Sequence, residues 1–147
     1  MGKKEKQKVF GLLTFGQYEI AVRVAEKENI SDWLMRRCLK MARNLAKKET
    51  INELRKFVAD MSQAMKNDEF VRAVINNCLE DGQYDYALEL ARRYGETRWL
   101  NDRCTEIIDS FVKKGETQKV RDFVYKMDKA WPKRDFASVL AEARMKA

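Results

Sequence analysis

The fold is decided by the segment GQYEIAVRVAEKENISDWLMRRCLKMARNLAKKETINELRKFVADM, residues 16–61. It returns without a gap as GQYDYALELARRYGETRWLNDRCTEIIDSFVKKGETQKVRDFVYKM, residues 82–127. The two segments are identical at 15 of 46 aligned positions, and the register set by Gly16 and Gly82 never shifts. A fixed long period is typical of chains built from stacked structural units. The sequence therefore predicts a repeat protein.

Apolar residues recur at three- and four-residue spacing along nearly the whole chain, which favours amphipathic α-helices. The scarcity of breakers, one proline and six glycines, points the same way. The spacing predicts nine short helices, at residues 4–14, 17–28, 32–48, 51–64, 68–80, 83–94, 98–114, 117–129 and 133–145. We expect one all-α domain over residues 1–147, with repeat copies at 16–81 and 82–147. Residues 1–15 form an N-terminal helix with a frayed basic start.

The helix boundaries are indicated by turn and capping residues. Gly16 and Gly82 are placed at tight turns, where a left-handed conformation is favourable for glycine alone. Ser31 precedes a tryptophan-containing helix and is predicted to cap it. Thr50, followed by Glu53, is typical of a capping box.

Several classes of protein are disfavoured by composition. The longest apolar runs are a few residues, so no membrane span is expected. No secretory signal is expected either, which makes the cytoplasm the default location. The chain has no histidine and no glycine-rich phosphate loop, so neither a nucleophile–base pair nor a nucleotide site is predicted. The three cysteines, Cys38, Cys78 and Cys104, are interpreted as small buried residues. We therefore expect no catalytic residue, no metal site and no cofactor.

Positive charge is concentrated in the first third of the chain. Residues 1–48 contain 12 lysines and arginines against 5 acids, whereas residues 49–147 contain 18 of each. Much of the excess lies on the polar side of the helix predicted at 32–48, here called the basic face. It consists of Arg36, Arg37, Lys40, Arg43, Asn44 and Lys47. The equivalent side of helix 98–114 is mixed, with Asp102, Arg103, Glu106, Asp109, Ser110 and Lys113. Because like charges one turn apart destabilise a helix slightly, the basic bias is consistent with a binding role. An ordinary solvated outer face rich in lysine and arginine is the alternative interpretation.

The three tryptophans have two interpretations. Aromatic rings in a basic groove can stack on nucleic-acid bases. Trp33 and Trp99, however, are equivalent in the two copies and lie on apolar stripes, so packing is the preferred interpretation. Trp131, beside Pro132, is expected to pack at the last interhelix turn.

Each 66-residue block divides further into two helix pairs of about 33 residues, because residues 32–45 align with residues 68–81. The segment DGQYDYALELA (81–91) resembles the turn and second helix of a tetratricopeptide repeat, and GQYEIA (16–21) is similar to it. Residues 115–127 are also similar to pentatricopeptide repeats. The resemblance implies a right-handed superhelix with a concave surface lined by the first helix of each pair.

Some tetratricopeptide domains hold a peptide carboxylate with a clamp of lysine, asparagine and arginine side chains. Lys40 and Asn44 match its first pair in type and spacing, and Asn76 matches the central asparagine. Arg103 matches in part, but Ile107 stands where a second cation is required. The clamp is therefore incomplete and is not predicted.

The preferred functional hypothesis is a non-catalytic protein-interaction module that binds an acidic partner segment in a partly basic groove. Its binding residues would be Arg36, Arg37, Lys40, Arg43, Asn44, Lys47, Arg72, Asn76 and Arg103. The alternative is RNA or single-stranded nucleic-acid binding, which the local positive charge also favours. A monomer is expected, or a weak homodimer through the N-terminal helix, where Val9, Phe10, Leu12, Leu13 and Phe15 make the surface largely apolar.

Overall fold

A computed structural model describes residues 2–147, which form nine α-helices, two short 3-10 turns and no strand. The helices are α1 (Lys3–Thr14), α2 (Tyr18–Lys27), α3 (Ser31–Leu45), α4 (Ile51–Met65), α5 (Glu69–Glu80), α6 (Tyr84–Arg93), α7 (Thr97–Lys113), α8 (Thr117–Ala130) and α9 (Phe136–Lys146). The prediction of an all-α protein with nine helices is confirmed. Met1, where the predicted frayed start begins, lies outside the described residues, and α1 already begins at Lys3.

The chain divides into two compact units, one extending to Asn77 and the other from Cys78 to Ala147. The division falls inside α5. The first unit therefore holds α1 to α4 with most of α5, and the second holds the end of α5 with α6 to α9. The single domain over residues 1–147, with copies at 16–81 and 82–147, stays a prediction.

In the first unit, α2 packs against α1, α3 and α4. Its fully buried Ala21 and Ala25 allow these neighbours to approach closely. Phe57 of α4 is buried and packs edge-to-face on Tyr18 of α2, with ring centroids 5.6 Å apart, and on Phe70 of α5, at 6.0 Å. Aromatic pairs of this geometry stabilise by about 0.5–1.5 kcal/mol beyond their burial. These contacts link three helices of the unit through one core side chain.

In the second unit, α8 packs against α6, α7 and α9. Phe123 of α8 packs edge-to-face on Tyr84 of α6, at 5.5 Å, and on Phe111 of α7, at 6.3 Å. In the repeat alignment, the pair of Tyr84 and Phe123 is equivalent to the pair of Tyr18 and Phe57 in the first unit. Each tyrosine therefore packs on a phenylalanine of the second α-helix after its own, from α2 to α4 and from α6 to α8.

The last helix is attached to α8 by a carboxylate. Asp128 accepts hydrogen bonds from the backbone N–H groups of Phe136 (2.6 Å) and Ala137 (3.1 Å), the first two residues of α9. Trp131 is buried and packs edge-to-face on Phe136. The expectation that Trp131 packs at the last interhelix turn is confirmed.

The glycine turns are as the sequence predicts. Gly16 and Gly82 have φ angles of 74° and 75°, in the left-handed region that other residues rarely adopt. Directly after each, the N–H of Gln17 or Gln83 donates to a carbonyl of the preceding helix, at 2.9 and 2.8 Å. This bond satisfies one of the free carbonyls at the helix end.

Two capping predictions are wrong, and the predicted end of the third helix is too late. α3 ends at Leu45 rather than at residue 48. The hydroxyl of Thr50 donates to the carbonyl of Leu45 at 2.7 Å, so it closes α3 instead of forming a capping box at the start of α4. Ser31 is the first residue inside α3, and Ile30 takes the cap position without a side-chain bond. The different role of Thr50 and the early end of α3 are due to the 3-10 turn Lys48–Thr50, which brings Thr50 back to the end of α3.

Candidate binding site

The basic face lies on α3 in the first unit, and most of it is open to solvent. Arg36, Lys40 and Arg43 are exposed and follow one another at four- and three-residue spacing. Within residues 2–147, no acidic side chain forms an ion pair with Arg36 or Lys40. Their positive charges are therefore available to a partner, and they repel each other along the helix.

The remaining residues of the basic face have different surroundings. Asn44 is exposed in the last turn of α3. Lys47 is also exposed, but it lies beyond the end of the helix in extended backbone. Arg43 donates from a guanidinium nitrogen to Oδ1 of Asn77 at 3.2 Å, which connects α3 to α5. The basic face thus has a free part at Arg36 and Lys40, and a part already bonded to its own unit at Arg43.

The three other predicted binding residues are half-buried. Arg72 and Asn76 lie on α5 within the first unit, and each takes part in a further interaction. Arg103 belongs to the second unit, where Nη1 pairs with Oε2 of Glu106 at 3.2 Å. It also lines a cavity of about 320 Å³ that includes Phe111. The structure therefore places eight of the nine predicted residues in the first unit and Arg103 in the second.

An open pocket between α1 and α3 extends the basic face toward the start of the chain. We call it the α1–α3 pocket, and its volume is about 650 Å³. It is lined by Lys3, Lys6, Gln7, Phe10, Gly11, Thr14, Phe15, Trp33 and Arg37. Three of these residues are cationic and three are aromatic, and none of the residues found to line it within 2–147 is acidic. The lining therefore combines aromatic rings with charges of a single, positive sign.

Two cations in the α1–α3 pocket lie over aromatic rings. The guanidinium carbon of Arg37 is 4.5 Å from the ring centroid of Phe10, and Nζ of Lys6 is 5.9 Å from the ring of Trp33. Such contacts contribute about 0.5–1 kcal/mol at exposed sites. The Nε atom of Arg37 is buried and has no hydrogen-bond acceptor among residues 2–147. Arg37 is therefore fixed at the pocket wall with part of its hydrogen-bonding capacity unused.

The aromatic side chains of α1 were not predicted as part of a site. Phe10 is 42% exposed and Phe15, directly after α1, is 83% exposed, whereas Val9 and Leu13 are buried in the unit. Trp33 is half-buried and lines the pocket, so packing alone does not describe it. The sequence contained one relevant signal. When the repeat alignment is continued toward the start of the chain, Phe10 and Phe15 correspond to Asn76 and Asp81, so neither aromatic recurs 66 residues later.

The cysteines are buried, as predicted. Burial raises the pKa of the Cys38 thiol to about 12. Burial also raises the pKa of Cys104 to about 12, against a smaller lowering effect of Arg103. Such thiols stay protonated and unreactive at neutral pH. Across residues 2–147, no group of three or more histidine, cysteine or acidic side chains is arranged to hold a metal ion.

None of the helices formed by residues 2–147 is both long and apolar enough to span a bilayer. Comparison of the chain with known family models, with curated proteins and with solved structures finds no match. Because no similar protein suggests a function, the function is inferred from the α1–α3 pocket and the basic face.

Proposed function

We propose that this chain is a non-catalytic protein-interaction module that binds an acidic segment of a partner protein in its first unit. The observation that carries the proposal is the α1–α3 pocket, a concave site with a volume of about 650 Å³ that is lined by cationic and aromatic side chains. This volume lies in the range typical of ligand-binding pockets. The proposal includes a tetratricopeptide-like right-handed superhelix, in which α1 and α3 would be first helices of successive pairs and would face the concave side.

The distribution of charge supports an acidic partner. Lys3, Lys6 and Arg37 line the pocket, and Arg36 and Lys40 continue the positive surface along α3. A surface of one sign attracts a partner of the opposite sign and raises the rate of encounter. Like charges at one-turn spacing in α3 lower helix stability, and their presence despite this cost is consistent with a binding role.

RNA or single-stranded nucleic acid is the alternative ligand, because cations and exposed aromatic rings are also typical of base-stacking sites. The ring contacts favour a protein segment. One face of Phe10 is covered by Arg37, and Lys6 lies over the ring of Trp33, so both rings are already partly engaged. Phe15 alone among the three offers a largely open ring. A row of free stacking platforms is therefore not formed.

A homodimer through α1 also stays a prediction. Exposed Phe10 and Phe15 would supply its apolar contacts. Two copies of α1 would, however, bring Lys3 and Lys6 of each copy close together, which is unfavourable. We therefore expect a monomer at micromolar concentration.

The proposal is tested by titrating a short fluorescent glutamate-rich peptide and a labelled mixed-sequence RNA at low and moderate salt. The double variant Arg36→Gln with Lys40→Gln should weaken peptide binding about 5- to 30-fold, if each contact contributes about 0.5–1 kcal/mol. The matched control, Arg92→Gln with Arg93→Gln, removes the same charge from α6 in the second unit. It should leave peptide binding nearly unchanged.

Two outcomes would overturn the proposal. One is the absence of peptide binding even at low salt. The other is RNA binding that persists at moderate salt and is lost in the double variant but not in the control, since this would identify the basic face as a nucleic-acid surface.

A further inference from the structure

We infer that the α1–α3 pocket receives one apolar anchor residue of the partner, aromatic or large aliphatic, while carboxylates on both sides of that anchor bind the surrounding cations. The ligand class is thus an acidic segment with a central apolar residue, rather than any acidic segment. This inference rests on the proposed function, and it adds the specificity that the basic face alone does not provide.

The apolar anchor follows from the exposed aromatic surface. Phe15 is 83% exposed and Phe10 is 42% exposed, and both line one pocket with the half-buried Trp33. Large apolar side chains gathered in a concave site and surrounded by charges mark a contact surface rather than ordinary solvent exposure. A single partner side chain inserted among the three rings would remove their apolar area from water.

The flanking carboxylates follow from the positions of the cations. Lys3 and Lys6 belong to α1, whereas Arg37 belongs to α3 on the other side of the pocket. Arg37 is already held against Phe10, with its guanidinium carbon 4.5 Å from the ring centroid. Because the guanidinium is already positioned, the arginine side chain loses little entropy when it pairs with a carboxylate. Acidic residues on either side of the anchor would therefore each meet a cation.

Positions 66 residues later in the chain serve as an internal comparison at the level of sequence. In the repeat alignment, Trp33 and Arg37 recur as Trp99 and Arg103, and Lys6 is replaced by another cation, Arg72. Three other residues of the pocket change character: Lys3, Phe10 and Phe15 correspond to Glu69, Asn76 and Asp81. The repeat therefore does not require phenylalanine at positions 10 and 15, which supports a role of these two rings in binding.

The test uses three short fluorescein-labelled peptides read by fluorescence anisotropy. The first has a central tryptophan between glutamates, the second has alanine in place of that tryptophan, and the third keeps the tryptophan but has glutamines for glutamates. The wild-type chain should bind the first about 30-fold more tightly than the second, the effect expected of a buried aromatic anchor. The third should also bind more weakly than the first.

Variants of the protein locate the anchor. The double variant Phe10→Asn with Phe15→Asp introduces the residues found 66 positions later in the chain and should abolish the difference between the first two peptides. Gly11→Leu is an independent variant, because a Cβ added at Gly11 meets nothing within 4 Å and Gly11 lines the pocket, so the longer side chain would occupy it while favouring the helix. Tyr125→Asn is the matched control, since Tyr125 is a similarly exposed aromatic (69%) in the second unit.

The outcomes separate this inference from the proposed function. Equal affinity of the wild-type chain for the tryptophan and alanine peptides would overturn the anchor and leave the acidic-segment function standing. Failure of all three peptides to bind would overturn both. An anchor effect that survives both Gly11→Leu and the double variant would place the anchor outside the α1–α3 pocket and contradict the inference.

Discussion

Replacing Lys40 by glutamate should stabilise the protein and weaken its binding of an acidic segment. The equivalent position of the second copy is already Glu106, whose carboxylate pairs with Arg103 at 3.2 Å. Arg37 stands at the equivalent of Arg103, three residues before Lys40, and Arg36 is four residues before it. The substitution replaces three repulsive spacings, to Arg36, Arg37 and Arg43, by three attractive ones. At ~0.2–0.5 kcal/mol for each change, the gain in unfolding free energy is about 1 kcal/mol.

The stability effect is measured by thermal unfolding, followed by circular dichroism at low and high salt. For a chain of this length, 1 kcal/mol corresponds to an increase in Tm of about 2–4 °C. The increase should shrink at high salt, because exposed charges are screened. The control Glu106→Lys removes an existing ion pair in the second unit and should lower Tm. A Lys40→Glu variant that is no more stable than wild type at low salt would refute the description of α3 as carrying unpaired like charges.

The same substitution, Lys40→Glu, should weaken peptide binding although it stabilises the fold. A carboxylate at position 40 competes for the guanidinium of Arg37 and reverses one charge of the basic face. We expect the affinity for a glutamate-rich peptide to fall about 3- to 10-fold, while Glu106→Lys leaves it unchanged. Unaltered peptide affinity in Lys40→Glu would show that the partner does not contact the basic face at Lys40.

Three further predictions concern the fold. Gly16→Ala should lower the unfolding free energy by about 1–2 kcal/mol because Gly16 has a φ of 74°, whereas Gly11→Ala, inside α1, should raise it by about 0.5–1 kcal/mol in the same denaturant titration. Phe57→Ala should cost about 3–5 kcal/mol, measured by urea unfolding, because the side chain is buried against two rings. Cys38 and Cys104 have pKa values of about 12 in the folded chain against an ordinary 9.0, so they keep their protons while the unfolded chain loses them. The unfolding free energy should therefore decline from about pH 9 upward, and less steeply when both are replaced by alanine.

The helices were predictable because their determinants are local. Apolar spacing located all nine, and glycine located the turns at Gly16 and Gly82. The end of α3 was not predictable, because Ala46, Lys47 and Lys48 are good helix formers and contain no stop signal. What ends the helix is a hydrogen bond from Thr50, five residues after Leu45, across a turn that no periodicity describes.

The candidate site was predictable only in part. The basic face was visible because its charges repeat at helical spacing on a single element. The α1–α3 pocket could not be predicted from the sequence, because it depends on how two helices pack. Phe10 and its neighbour Val9 are both apolar, and only the packing of α1 on α2 buries Val9 and leaves Phe10 exposed at the pocket. The sequence therefore indicated an apolar surface on α1, and the structure adds that Phe10 and Phe15 share a pocket with Trp33 and three cations.

The most direct test of the central claim follows the indole N–H signals of Trp33, Trp99 and Trp131 by NMR during titration with the tryptophan-centred glutamate peptide. Isotope labelling of the protein alone removes the peptide from the spectrum, and single substitutions to phenylalanine assign the three signals. The signal of Trp33, in the α1–α3 pocket, should shift and saturate with the affinity found by anisotropy, while those of Trp99 and Trp131 stay in place. Binding that leaves the Trp33 signal unmoved, or that shifts Trp99 instead, would contradict the account.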